Sequence, residues 1–125
     1  MYELVFWKYS EGIYLNHHLV YEAIAEGQII DGLEEIPVTI IVNRLQNKFS
    51  HWDKVDENSW QNPDGGGAFQ IKLTKQSVKI DCYGTQGKQM DVMARVMEEF
   101  QCPLYDPQTI VVRRRREAAA AGHGD

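Results

Sequence analysis

The sequence predicts a single domain of the α/β class (α+β type), with a mainly antiparallel sheet of four to five strands and two to three helices. Three observations predict it. Residues 2–8 form an almost unbroken apolar run, residues 69–82 contain two segments of alternating polarity, and residues 38–49 repeat apolar side chains at helical spacing. Alternation with period two is typical of a strand with one face on the core, and the helical period is typical of an amphipathic helix. At 125 residues the chain can bury a core without metal or disulfide staples.

The first strand, residues 2–8, is predicted to lie in the interior of the sheet. Leu4 and Phe6 point to one face and Val5 and Trp7 to the other, because side chains alternate along a strand. A strand that is apolar on both faces must be covered on both. We therefore expect an interior strand rather than an edge strand.

Two helices are predicted in the first half of the chain. The first begins at the N-cap candidate Asn16 and ends near Gly27; its apolar stripe contains Leu15, Leu19 and Ala23, flanked by Val20 and Ile24. The second begins near Pro37 and repeats apolar side chains at Val38, Ile41, Val42, Leu45 and Phe49. Residues 38–42 alone are also typical of a strand, but the spacing that continues to Phe49 favours a helix.

The second half of the chain is predicted to hold an irregular region, a hairpin and a third helix. Residues 50–67 are the least regular part and end in a turn-forming Asn-Pro-Asp-Gly-Gly-Gly series, which lacks the flanking elements of a phosphate-binding loop. Residues 69–73 and 78–82 predict a hairpin whose polar side chains, Gln70, Lys72, Lys79 and Asp81, face solvent. A helix over residues 88–101 carries the stripe Met90, Met93, Val96, Met97 and Phe100, for which core packing is favoured over an adaptable partner groove.

The chain end changes in composition. Residues 109–112 predict a closing strand, so we expect residues 1–112 to form the compact domain. Residues 113–125 contain four consecutive arginines followed by an alanine-rich segment, which predicts a flexible tail. An inert extension and a segment that docks on RNA or an anionic surface are the two interpretations of this tail.

The remaining composition favours a cytoplasmic protein. Cys82 and Cys102 form no CxxC pair, and each follows an apolar run, which predicts buried free thiols rather than a disulfide or a zinc site. The N-terminal segment has Glu3 where a signal peptide has basic residues, and no apolar run is long enough to span a bilayer.

Charge divides the chain into an acidic body and a basic end. Residues 1–112 hold nine of the 13 basic and 16 of the 18 acidic residues, which gives this part a net charge of −7. An acidic body repels phosphate backbones, so we expect no direct nucleic-acid binding by the domain. The same charge would speed encounter with a basic partner, although a modest negative charge also serves solubility.

No pattern for catalysis, a metal or a cofactor is present. His17 and His18 point about 100° apart on a helix, the wrong arrangement for a shared metal. His51 lies two residues before Asp53, which could orient an imidazole, but no nucleophile accompanies them. We therefore expect a protein that is not an enzyme, with a small hydrolase using His51 and Asp53 as the alternative.

Carboxylates concentrate in two segments, and these predict a binding surface for a basic protein. Carboxylates pair with Lys and Arg, while aromatic rings supply buried anchor area. Trp52 and Trp60 are interleaved with the second segment, either as anchors of that surface or as core residues. The predicted partner-binding residues are Asp31, Glu34 and Glu35 in the first segment and Asp53, Asp56, Glu57, Trp60 and Asp64 in the second.

Three segments, residues 2–8, 32–37 and 100–108, together resemble a family of small bacterial immunity proteins. Members of that family are encoded beside polymorphic or contact-dependent growth inhibition toxins. The resemblance implies a cytoplasmic protein that binds a cognate toxin domain, often a nuclease, and blocks it. It transfers no functional residue, because such interfaces diverge with their toxins, and the arginine-rich tail departs from the family pattern. The alternative is a small adaptor or RNA-associated protein that acts through Arg113 to Arg116.

Overall fold

A computed structural model describes residues 1–109, which form one antiparallel six-stranded sheet and three helices. The elements in chain order are β1 (Tyr2–Trp7), α1 (His17–Ala25), α2 (Val38–Lys48), β2 (Asp53–Asp56), β3 (Ser59–Gln61), β4 (Ala68–Leu73), β5 (Ser77–Tyr83), α3 (Gly87–Glu99), β6 (Leu104–Tyr105) and a 3-10 turn (Pro107–Thr109). The strand order is β2-β3-β4-β5-β1-β6. The predicted α+β class is confirmed, with six strands in place of four to five.

The prediction of an interior first strand is confirmed. β1 pairs with β5 over its whole length, from Tyr2 opposite Cys82 to Trp7 opposite Ser77, and with β6 on its other side. Its last four residues, Leu4 to Trp7, are buried. Leu4 and Phe6 pack into the main core, whereas Val5 and Trp7 pack into a second, smaller core.

These two cores lie on opposite faces of the sheet. The main core contains the buried stripes of α2 and α3, while the smaller one contains Val20 and Ile24 of α1. Among the strands of residues 1–109, only β1 and β6 contribute residues to the smaller core. The face of β2 to β5 that points away from α2 and α3 carries mainly polar side chains, and we call it the open face.

Helix α1 begins and ends where the sequence predicts. The Asn16 side chain accepts a hydrogen bond from the Leu19 amide at 3.1 Å, and Gly27 has the positive φ of 75° that ends the helix. The prediction that Leu19 belongs to the buried stripe of α1 is wrong, because Leu19 is 65% exposed. Val20 and Ile24, spaced at i and i+4, face the sheet instead, because the docked face lies about one residue further round the helix.

Helices α2 and α3 confirm the other two predicted helices. α2 starts directly after Pro37 and buries Ile41 and Leu45. α3 buries Met93, Val96 and Met97 in the main core, as the core-packing interpretation of its methionines expects. The buried free thiols at Cys82 and Cys102 are also confirmed.

Four predictions need correction or lie outside the described residues. Residues 50–67 are not irregular throughout, because β2 and β3 form there. Asp81 does not face solvent: it is 1% exposed. Within the described residues β6 is the last strand, and Thr109 lies in the 3-10 turn. Residues 110–112 of the predicted closing strand and the tail 113–125 lie outside the described residues.

Candidate functional site

The second acidic segment folds into a hairpin at one edge of the sheet, formed by β2 and β3, which we call the acidic hairpin. All four residues of β2 are exposed, and β3 is the single strand paired with it in the described part of the chain. The Asp56 carboxylate accepts a hydrogen bond from the Asn58 amide at 2.9 Å, which fixes the tight turn. The outer edge of β2 therefore presents backbone donors and acceptors together with its side chains.

The acids of this hairpin are separated from its one lysine. Lys54 lies opposite Trp60, with its Nζ 5.7 Å from the indole centroid, so it turns towards the α2 side of the sheet. Asp53 and Asp56 lie opposite Gln61 and Ser59, whose side chains belong to the open face. The lysine therefore does not neutralise the carboxylates on the open face.

The first acidic segment lies at one end of the sheet. The Glu34 amide donates to the Lys8 carbonyl at 2.8 Å, and the Ile36 amide donates to the Lys75 carbonyl at 2.9 Å. The buried Gln76 side chain holds this connector through both Ile30 backbone groups and the Leu33 carbonyl. This places the connector beside the end of β1 and the β4–β5 turn.

The predicted acids fall into three groups rather than one cluster. Asp31 and Glu35 are exposed on the connector, and Glu34 lies 3.8 Å from the Lys8 ammonium. In the hairpin, Asp56 and Glu57 lie at the same end of the sheet as the connector, because Asn58 accepts a hydrogen bond from Ile71 near the end of β4. Asp53, opposite Gln61, lies at the other end of the hairpin. Asp64 lies at the opposite end, in a turn closed by the Asn62 amide on the Gly67 carbonyl at 2.9 Å. The connector and the hairpin turn are separated by the β4–β5 turn.

Trp60 does not belong among the partner-binding residues, contrary to the prediction from the sequence. Its ring is 2% exposed and stacks on Phe69 with centroids 5.2 Å apart, because this position of β3 points into the main core. Trp52 is also buried, at 5% exposure. The core interpretation of both tryptophans is therefore the one observed, and Trp60 is not a surface anchor.

Two exposed apolar side chains on the sheet were missed by sequence reasoning. Val55, at the irregularity of β2, is 62% exposed, and Tyr83 is 46% exposed. Tyr83 lies in the same row across the open face as Ala68, Gln61 and Asp53, as the strand registers show. The interrupted register of β2 and the strand end at Tyr83 are not visible as a sequence pattern.

An ionic network crosses the open face between β4, β5 and β1. Lys79 lies 2.9 Å from the Glu3 carboxylate and 3.6 Å from that of Asp81, and Lys72 lies 3.2 Å from Asp81. The Tyr21 hydroxyl of α1 donates to Glu3 at 2.9 Å. Burial acts to raise the pKa of Glu3, but the hydrogen bonds from Lys79 and Tyr21 outweigh it and hold that pKa below its usual value. This network stabilises the sheet and neutralises its own charges, and it includes none of the hairpin acids.

Reactive groups are not assembled into a site within residues 1–109. Burial raises the pKa of both cysteine thiols to about 11, which keeps them protonated at neutral pH. His51 and Asp53 make no hydrogen bond or ion pair with each other. In the same residues, no group of three or more histidine, cysteine or acidic side chains is placed to hold a metal ion. None of the described helices combines the length and apolarity needed to cross a membrane.

Comparison with known proteins identifies no family for this chain. No protein-family model matches the chain, and no curated protein matches it significantly.

Proposed function

We propose that this chain is a bacterial cytoplasmic immunity protein, without enzymatic activity, that neutralises a cognate basic toxin domain. The toxin would belong to a contact-dependent growth inhibition or other polymorphic toxin system, and its domain would be a nuclease. The observation that carries the proposal is the acidic hairpin, an exposed edge whose carboxylates Asp53 and Glu57 have no ion-pair partner among the described residues.

Charge supplies the first part of the argument. A nuclease domain presents a basic groove for its substrate, and a protein with carboxylates at an exposed edge can occupy that groove in place of a phosphate backbone. Opposite charges steer the encounter and raise the association rate, most strongly at low salt. The excess of acids in residues 1–112, a net charge of −7, acts in the same direction.

Shape and apolar area supply the second part. Stable inhibition needs an interface of roughly 1,600 Å² in total, with a few buried anchors near its centre. Val55 on β2 is an exposed apolar side chain next to Asp56, and Tyr83 is an exposed aromatic side chain on the open face, three strands from Asp53. The outer edge of β2 also offers unpaired backbone groups to a partner strand. These features fit a protein partner better than a small substrate.

The direct test is binding to the toxin domain encoded by the adjacent upstream gene. The hairpin variant Asp53→Asn/Asp56→Asn/Glu57→Gln removes three charges from the proposed interface. A matched control, Glu11→Gln/Glu26→Gln/Glu98→Gln, removes three charges from exposed positions elsewhere. We expect nanomolar binding by the natural chain, at least a tenfold loss with the hairpin variant, and a smaller loss with the control.

Two results would reject the proposal. One is the absence of co-purification and of nanomolar binding. The other is equal losses in the two variants, which would mean that only total charge matters. Deleting residues 113–125 distinguishes the adaptor alternative, because the immunity proposal expects the truncated chain to inhibit normally, whereas an adaptor acting through Arg113 to Arg116 would lose its binding.

A further inference from the structure

A groove of about 460 Å³ lies between the C-terminal end of α2 and the first half of α3. Its lining includes the buried residues Phe49 and Trp52, whose rings pack edge to face with centroids 5.1 Å apart. Charged side chains surround it: Lys48 from α2, Lys88, Asp91 and Arg95 from α3. The volume lies within the range of roughly 300–1,000 Å³ typical of small-molecule sites.

The cations of this groove form no ion pair within the described residues, unlike most other cations there, although the Glu99 carboxylate attracts Lys48 electrostatically. Residues 1–109 contain nine lysines and arginines, and four of them, Lys8, Arg44, Lys72 and Lys79, form ion pairs with carboxylates. Three of the remaining five, Lys48, Lys88 and Arg95, line this groove, and none of the three has an ion-pair partner among the described residues.

The lining of the groove is positively charged, whereas the domain as a whole is negatively charged. Asp91 is the single acid in the groove lining, and it forms no ion pair with the lysine and arginine beside it. The lining therefore carries a net charge of +2, without counting His51, in a region whose total charge is −7. A bound anion would be attracted by each of these cations. Lys88 lies in the first turn of α3, where the N-terminal end of the helix dipole adds positive potential.

We propose that this groove binds a small phosphorylated ligand of nucleotide size. Lys48 and Lys88 act as point charges on the phosphate oxygens, while the Arg95 guanidinium offers two parallel donors to one phosphate. His51, which also lines the groove, supplies a further donor. The acids elsewhere on the domain repel an extended phosphate backbone, which favours a short polyanion over a nucleic acid.

This inference does not rest on the proposed function. The groove belongs to the α2–α3 layer, whereas the open face lies on the other side of the sheet. A ligand in the groove and a protein on the acidic hairpin are therefore separate binding events with separate tests. A negative result for ligand binding in the groove does not affect the proposal for the acidic hairpin, and the reverse also holds.

The experiment is a calorimetric titration of the full chain with ATP and with inorganic tripolyphosphate, at about 50 mM salt to limit screening. We expect one site with a Kd below about 1 mM for at least one probe. Lys88→Gln/Arg95→Gln should weaken that binding at least tenfold. The control is Lys75→Gln, since Lys75 is also exposed and outside any ion pair but lies at the β4–β5 turn. It should leave the affinity within twofold.

Three outcomes would overturn the inference. The first is that neither probe binds at millimolar concentration. The second is binding that is unchanged in Lys88→Gln/Arg95→Gln, which would place the probes at other cations such as Arg113 to Arg116. The third is binding of a single-stranded RNA oligonucleotide with no binding of ATP or tripolyphosphate. A urea unfolding curve of each variant establishes that the fold is intact, as expected for substitutions of exposed side chains.

Discussion

Replacing Lys79 by methionine tests whether the open-face network holds β1 and β5 together. Glu3 and Asp81 lie directly opposite each other across these strands, and the Lys79 ammonium pairs with both. Without it, two carboxylates face each other, one of them 1% exposed. Breaking a buried ion pair by removing one partner costs about 3–5 kcal/mol. Because Lys72 still pairs with Asp81 and the Lys79 side chain is 17% exposed, we place the loss near the lower end, about 3 kcal/mol.

Urea unfolding at neutral pH measures this loss. With a slope of about 1.5 kcal/mol per molar, the midpoint should fall by about 2 M. The control Lys72→Met removes a lysine whose side chain is 58% exposed, and it should cost less than about 1 kcal/mol. Equal losses in the two variants would refute the argument that burial of Lys79 makes the difference.

The pH dependence of the same variant adds a second check. The folded-state pKa of Glu3 lies below its usual value of 4.5, so its contribution is present above that pH and is lost as the pH falls through the folded-state pKa. The difference between the natural chain and Lys79→Met should therefore shrink in acid, below pH 4.5. A difference that stays constant would contradict the assigned ion pair.

Three further predictions concern stability and reactivity. Asn16→Ala removes the cap of α1 and should cost about 1 kcal/mol in urea unfolding, whereas an unchanged midpoint would show that the cap contributes nothing. Trp60→Ala should cost about 3–5 kcal/mol because its ring fills the core; a loss of partner affinity at unchanged stability would restore it as a surface anchor. Cys82 and Cys102 should react with a thiol reagent at pH 8 only after denaturation, since burial raises both thiol pKa values to about 11; rapid reaction of the native chain would contradict their burial.

Local patterns were sufficient for most elements of the fold. The β4–β5 hairpin, α2 and α3 each bury a face set by the period of their own apolar residues, so the sequence identifies the element and its buried side together. β1 is identified by its unbroken apolar run, which is buried on both faces. The Asn16 cap and Gly27 mark the ends of α1 for the same reason, because their effect is confined to one turn of backbone.

The predictions from the sequence fail where contacts with neighbouring elements determine the structure. β2 has no apolar alternation, since all its residues are exposed, and it is a strand because β3 pairs with it. Leu19 was assigned to the docked face because the sequence does not fix the rotation of α1 against Trp7 and Tyr105. Asp81 occupies a position in the alternating pattern of β5 that predicts exposure to solvent. Lys72 and Lys79, which lie beside it on the sheet, cover it instead.

The candidate site was predicted in composition but not in arrangement. The sequence identifies two acidic segments, and the structure divides their residues among the connector, the hairpin and the Asp64 turn. Only a register can show that Lys54 turns away from Asp53 and Asp56. The groove between α2 and α3 was not predicted, because its cations come from two segments 40 residues apart in the chain.

The most direct test of the central claim is a titration of the toxin domain's nuclease activity with this chain. The account predicts complete inhibition at one equivalent of the natural chain. It also predicts that Asp53→Asn/Asp56→Asn/Glu57→Gln needs a clear excess to reach the same inhibition. Full nuclease activity in the presence of excess natural chain would contradict the claim that this acidic edge neutralises a basic enzyme.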